Sequence, residues 1–281
     1  MLGGFRIPAC YNVYMTNNTK PIALITGASS GIGLELAKCA VADGYRVIIV
    51  AQTIVKLDQA EKTLREQYNA EVEALLIDLS KPDAAKLVYR AATKGGRQID
   101  VLINNAGFGD FDPFAEADTG KLSQMMALNM VTLTELTRLA LPGMVKRGSG
   151  RILNVASTAA FQPGPLMAVY YATKAYVLHL TEAISEETRG TGVTLTALCP
   201  GPTATNFEKR ADLHESRLFH SRGVMHARDV AVKGWLGMLA GHRIVIPGWR
   251  NRILAFATRF VPRAWTTKLV KRVQEKVPVK S

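Results

Sequence analysis

A chain of 281 residues with 48% hydrophobic content can bury one large core. Three cysteines, Cys10, Cys39 and Cys199, are scattered at neither metal nor disulfide spacing, which argues against a zinc module or a disulfide scaffold and for a reducing cytoplasm, with Cys39 and Cys199 as small core residues. The formal net charge is +12, and no apolar run reaches the roughly 18 residues a membrane-spanning helix needs.

Residues 1–19 lack the basic start and continuous apolar run of a secretory signal, and Pro8 with its neighbouring asparagines interrupts helix. They are expected to form a flexible arm, with Met15 as an alternative start. From Pro21 to Ile25 the chain is apolar, as a short buried strand would be. TGASSGIG follows as Thr26 to Gly33, and then an amphipathic helix with Leu34, Leu36, Ala37 and Ala40 inward. A strand, a glycine turn and a helix in that order present free backbone N–H groups at a helix N-terminus, where a pyrophosphate binds well. Gly27 permits the turn, Gly31 lets backbone approach the phosphates, and Gly33 lets the helix pack against the strand. Further strands are expected near 45–51, 72–77, 99–104, 151–156, 193–198 and 243–246. With helices between them, they predict an α/β fold: one doubly wound, parallel, seven-stranded sheet of Rossmann type. The expected organisation is an arm over 1–19, a catalytic and dinucleotide-binding domain over 20–247, and a basic helical extension over 248–281.

Chemistry enters at YYATK. Tyr170 and Lys174 are four residues apart, so on a helix they share a face, and an ammonium beside a phenol favours its ionised form. Tyr170 is the expected general acid/base for a carbonyl. Ser157, thirteen residues upstream of the tyrosine, is placed to hydrogen-bond that carbonyl, and Lys174 to hold ribose hydroxyls. Tyr171 is the rival acid, but with Lys174 only three residues on it is expected to point to another side of the helix.

Five segments in order resemble one family, the short-chain dehydrogenases/reductases, over about residues 20–247. They are TGASSGIG, the NNAG of Asn104 to Gly107, Asn129 in LNM, the Ser157, Tyr170, Lys174 set, and PGPTAT at Pro200 to Thr205. The resemblance implies catalytic roles for Asn129, Ser157, Tyr170 and Lys174, with Asn129 anchoring a water that relays protons. It implies cofactor contacts at Gly27, Ser29, Ser30, Gly31, Ile32, Gly33, Gln52, Asp78, Leu79, Asn105, Ala106, Gly107, Tyr170, Lys174, Pro200, Gly201, Thr203 and Thr205. Asp78 resembles the adenine contact; its plain alternative is to cap the next helix. A homodimer or homotetramer is also implied, built through the helices of Leu122 to Lys146 and Leu166 to Thr188. No metal is expected.

At the end of the second strand stand Ala51, Gln52 and Thr53. No carboxylate is there to repel a 2′-phosphate, so NADP is preferred to NAD, with Lys56 within reach of such a phosphate. Gly107, Phe108, Gly109, Phe161 and Met167 are candidate pocket residues. From Asn206 to Val224, apolar and charged residues interleave as in an amphipathic lid, or as in an ordinary surface helix. His214, His220 and His226 show no metal spacing.

Residues 242–281 hold ten Lys or Arg against one acid, Glu275, so three quarters of the net charge lies there. Ile253, Leu254, Phe256, Ala257 and Phe260 precede Pro262 as one apolar group, and Trp265, Leu269, Val270 and Val273 follow it as a stripe. Such a basic amphipathic tail fits packing on the core or a partner subunit, or peripheral contact with an anionic membrane. Nucleic acid is not expected, because no recognition motif accompanies the charge.

The sequence thus predicts an NAD(P)-dependent oxidoreductase interconverting an alcohol and a ketone or aldehyde, on a hydrophobic small molecule, in the cytoplasm or at a membrane surface. The alternative is a non-catalytic dinucleotide-binding regulator or scaffold. An epimerase or dehydratase of the extended branch is disfavoured by the turn spacing and the lack of a long C-terminal substrate domain.

Overall fold

Strands that are apolar without interruption are buried on both faces, and that is how the five-residue β1 (Ile22–Thr26) sits: all of its residues are buried. The computed structural model of the chain describes residues 20–205 and 224–274. The arm over 1–19, nearly all of the segment expected as a lid, and the last seven residues of the tail lie outside them. After β1 come α1 (Gly31–Ala42), β2 (Arg46–Ala51), α2 (Ile54–Tyr68), β3 (Val72–Leu76), α3 (Ala84–Ala92) and β4 (Val101–Asn104). The middle of the chain runs α4 (Thr119–Met126), a π-helical turn (Ala127–Thr132), α5 (Leu133–Arg147), β5 (Gly150–Val155), α6 (Ala168–Glu187) and β6 (Val193–Leu198). Two short strands, β7 (Thr203–Ala204) and β8 (Met225–His226), pair with each other, and α7 (Ala227–Leu239), β9 (Ile244–Val245), α8 (Trp249–Ala257) and α9 (Arg263–Gln274) complete the order.

The main sheet has seven parallel strands in the order β3-β2-β1-β4-β5-β6-β9. Every strand expected from the sequence is there, each within two residues at either end. Alternate side chains of one strand serve opposite cores: Ala23 and Ile25 pack on the α1, α2 and α7 side, while Ile22 and Leu24 pack on the α3 and α5 side. Each fully buried Leu or Ile adds about 1.5–3 kcal/mol. Trp235 of α7 is among the largest fully buried side chains. Its indole N–H donates to Asp43 at 2.5 Å, and it meets Tyr45 edge-on at 5.5 Å, locking α7 to the end of α1.

The chain winds outward from β1 in both directions, so the crevice beyond the carboxyl ends of β1 and β4 is where a ligand is bound in such a sheet. Its walls are fixed by buried polar links. Asn104 donates to Asn154 at 2.9 Å and to Thr137 at 3.0 Å, and Asn154 donates to Thr181 at 3.0 Å, which ties β4, β5, α5 and α6 together. Cys39 and Cys199 are free, buried thiols in the core, as expected. Among the described residues no helix is long and apolar enough to cross a membrane.

Candidate active site

The glycine turn is built around a backbone contact. Gly27 has φ +65°, its N–H donates to the Val50 carbonyl at 2.8 Å, and a Cβ there would lie 2.8 Å from the Ala106 backbone. Gly31 opens α1 at φ +57°, where a Cβ would press on Thr205. The N-cap, Ser30, makes no side-chain capping bond, so the first-turn N–H groups remain available to an anion. A cradle that only glycine leaves open, ending at an uncapped helix N-terminus, fits the phosphates of a dinucleotide. Gly33 does not line the cleft with the others. A Cβ there would collide with the Gly27 carbonyl and the Asn105 amide, so this glycine lets α1 pack against the turn.

Thr26 and Asn105 join this turn to the NNAG loop. The Thr26 hydroxyl accepts from the N–H groups of Asn105 and Ala106 at 3.0 and 3.1 Å, and the Asn105 amide donates to the carbonyls of Thr26 and Gly27, both at 3.0 Å. Asn105, Ala106 and Gly107 line the cleft. Asn129 does not; it lies behind them in the π-helical turn. Its amide donates to the Phe108 carbonyl at 3.0 Å and the Thr173 hydroxyl at 3.1 Å, and its Oδ1 accepts from the Phe108 N–H at 3.2 Å. With both amide hydrogens taken by protein, the side chain binds the loop to α6.

Ser157 follows β5 as the N-cap of a 3₁₀ turn (Thr158–Phe161), its hydroxyl accepting from the Ala159 N–H at 3.1 Å. Tyr170 and Lys174 both point inward from the first half of α6 and are buried. The Lys174 Nζ donates to the Val155 carbonyl at 2.8 Å and stands 5.8 Å from the centre of the Tyr170 ring. Burial pushes the Tyr170 phenol above its ordinary value, opposed by a hydrogen bond with Ser157. Lys174 was expected to draw that phenol down; here its amine is turned to a backbone carbonyl, and desolvation prevails. The same burial lowers the Lys174 amine to about 8. Asp78 lines the cleft, and although burial opposes its ionised form, hydrogen bonds from the Ser80 hydroxyl and N–H hold its carboxyl below the usual range. It shapes a turn; the cap residue of α3 is Asp83.

These groups share one cleft of about 980 Å³. Ser29, Ser30, Ile32, Gln52, Leu79, Pro200, Gly201, Thr203 and Thr205 line it alongside Gly27, Gly31, Asp78, Ser157, Tyr170 and Lys174. Of the candidate pocket residues, Gly107, Phe108 and Met167 line it, while Gly109 and Phe161 do not. Lys56 is exposed and stands outside. Sequence reasoning missed the roof: Leu254, Val261, Leu269, Val270, Val273 and Gln274 of the last helices and their joint complete the cleft. The apolar residues of the tail were the signal, although most of them also remain exposed.

Tyr171 also lines the cleft, contrary to the expectation that it faces elsewhere. What occupies its hydroxyl is Gln274, whose amide donates to it at 2.5 Å within the buried roof, and burial pushes this phenol up to about 12. Tyr171→Phe is expected to keep turnover within about threefold of the parent while lowering stability by about 1–2 kcal/mol, the cost of a lost buried hydrogen bond. Steady-state kinetics and urea melts measure the two. A near-complete loss of turnover would transfer the acid role to Tyr171.

Residues 21–216 match the family described as short chain dehydrogenase. An uncharacterised oxidoreductase of Bacillus subtilis is 36% identical over 185 residues, which is 66% of this chain and 69% of that protein. The very-long-chain 3-oxoacyl-CoA reductase of Bos taurus is 31% identical over 191 residues, 66% of this chain and 61% of that enzyme, so the matched segment spans about three fifths of its length. A solved short-chain dehydrogenase from Sphingobium yanoikuyae, in complex with NADPH, superimposes with a TM-score of 0.77 at 31% identity, over 85% of this chain and 92% of its own.

Proposed function

Because the chain belongs to the short-chain dehydrogenase/reductase family of oxidoreductases, we propose that it reduces a lipophilic ketone or aldehyde to the alcohol with NADPH. One observation carries this reading: Ser157, Tyr170 and Lys174 meet in a single cleft that also holds an uncapped helix N-terminus and an apolar roof.

A nicotinamide dinucleotide bound there supplies the hydride. The chain's own residues do the rest. Tyr170, protonated at neutral pH and with its phenol pushed further up by burial, donates its proton to the substrate oxygen as charge develops there. Ser157 hydrogen-bonds that oxygen and orients the carbonyl. Lys174, with a pKa of about 8, is mainly charged at neutral pH. One of its hydrogens goes to the Val155 carbonyl, and the others would serve the ribose hydroxyls of a bound dinucleotide. Asn129 fixes the Phe108 backbone against α6, so its share in a proton relay falls to its backbone.

NADPH is preferred because Ala51, Gln52 and Thr53 bring no carboxylate to the end of β2, and the Sphingobium relative binds that cofactor. The apolar roof and the likeness to a very-long-chain 3-oxoacyl-CoA reductase support a substrate with a long or bulky apolar chain. The test is loss of NADPH absorbance with long-chain 3-oxoacyl thioesters and bulky ketones. Turnover rising with chain length is expected. NADPH binding without turnover of any of them would favour the non-catalytic regulator.

A further inference from the structure

The outer faces of α8 and α9 differ from the rest of the surface. Trp249, Phe260 and Trp265 are 68%, 74% and 70% exposed, and nine of the twenty large apolar side chains exposed among the described residues fall within residues 249–274. The same stretch holds seven Lys or Arg and no Asp or Glu. Cations and rings are interleaved: Arg250 lies 5.3 Å from the Trp249 ring and Arg259 lies 5.8 Å from the Phe256 ring, which packs on Phe260 at 5.2 Å. Apolar surface gathered this densely marks a site of interaction.

We propose that α8 and α9 form a docking surface for an anionic lipid bilayer, and that lipophilic substrate enters the cleft from that bilayer along the same helices. Rings at the headgroup boundary with cations beside them match what an anionic membrane offers, an apolar interior beneath a negative surface. A second copy of the chain fits less well, because a two-fold contact through this face would set a surface rich in cations, with no acid in the stretch, against itself. Nucleic acid would meet the charge but leaves the aliphatic part, Ile253, Leu254 and Leu269, without an apolar partner. The entry step has its own observation. Leu254 and Leu269 both line the cleft and remain exposed, so the apolar wall of the cleft is continuous with the outer face. That step rests on the lipophilic substrate proposed above; the docking step does not.

Co-sedimentation with extruded vesicles tests the docking. The full chain is expected to pellet with phosphatidylcholine vesicles containing phosphatidylserine, to pellet far less with phosphatidylcholine alone, and to be released by salt. Replacing four outer rings together, Trp249→Ser, Phe256→Ser, Phe260→Ser and Trp265→Ser, is expected to weaken binding at least about tenfold. Reversing charge at Arg252→Glu, Arg259→Glu and Lys268→Glu should remove the preference for phosphatidylserine. None of these seven side chains lines the cleft, so turnover of a small water-soluble ketone should be unchanged and reports an intact fold. The KM for a long-chain ketone presented in vesicles should rise in the ring variant.

Equal recovery of the parent with and without vesicles overturns the docking surface, as does binding by the ring variant that equals the parent. A dimer that the ring substitutions dissociate, with no vesicle binding by either form, assigns the face to a second copy. Binding of a labelled single-stranded oligonucleotide, lost in the ring variant, with no vesicle binding by the parent, assigns it to nucleic acid. An unchanged KM in vesicles overturns the entry step alone. Absence of turnover with every carbonyl, in parent and variant alike, defeats the oxidoreductase reading and leaves the vesicle result to decide docking.

Discussion

Tyr170→Phe is expected to lower kcat for carbonyl reduction by about 10²–10⁴-fold, the share a positioned general acid supplies, while NADPH affinity stays within a few-fold. The substitution removes one oxygen from a buried ring and leaves the edge contact with Tyr171, at 6.1 Å, in place. What is lost is the tyrosine hydroxyl that hydrogen-bonds with Ser157, whereas that of Tyr171 is held by Gln274. Burial keeps that hydroxyl protonated well beyond neutral pH, so any fall in the parent's rate from its ionisation lies far on the alkaline side, and the residual rate of the variant should lack that alkaline limb. Stopped-flow reduction with a saturating ketone, beside cofactor titration by fluorescence quenching, separates chemistry from binding. A variant with near-parental kcat would remove Tyr170 from the reaction.

How far the sequence could be read depended on whether the signal was local. The strands were legible because parallel strands buried on both faces are unbroken apolar runs, as in RVIIVA of β2. The phosphate cradle was legible because Gly27 and Gly31 adopt positive φ, which leaves glycine as the economical choice. Many of the expected site residues converge for a related reason: Gly27, Gln52, Asp78, Asn105, Ser157 and Pro200 follow the carboxyl ends of strands, and α6 brings Tyr170 and Lys174 to the same edge. What escaped were long-range facts. Gln274 reaches Tyr171 across 103 positions, and nothing in either neighbourhood announces it. Lys174 was placed by its spacing to Tyr170, but the carbonyl that claims its amine belongs to Val155 on another strand. Periodicity identified the tail as amphipathic without saying what its apolar underside covers, which proves to be the cleft itself.

Lys174→Met should be as damaging as the loss of the phenol, but by a different route that its pH dependence exposes. The parent amine is buried and titrates at about 8, chiefly through desolvation, against an ordinary value of 10.5. Below pH 8 it is an ammonium with hydrogens to spare beyond the one given to Val155; above it, the charge is gone. NADPH affinity of the parent should therefore weaken as pH rises through about 8, and kcat/KM should fall with it. Methionine fills similar space without charge, so the variant is expected to bind NADPH about tenfold more weakly at neutral pH, with no dependence on pH across that interval. It should also lose about 10²-fold or more in kcat/KM, the scale on which a fixed donor at a reacting site counts. The protein alone offers a readout free of turnover. Because the folded amine has the lower pKa, the unfolded chain binds more protons between pH 8 and 10.5, so over that window the parent gains stability as pH rises. The variant lacks that gain, and the difference between the two urea midpoints should drift accordingly. Parallel midpoints from pH 8 to 10.5, or an NADPH affinity in the parent that ignores pH, would show that this amine is not the buried cation on which the site's geometry depends.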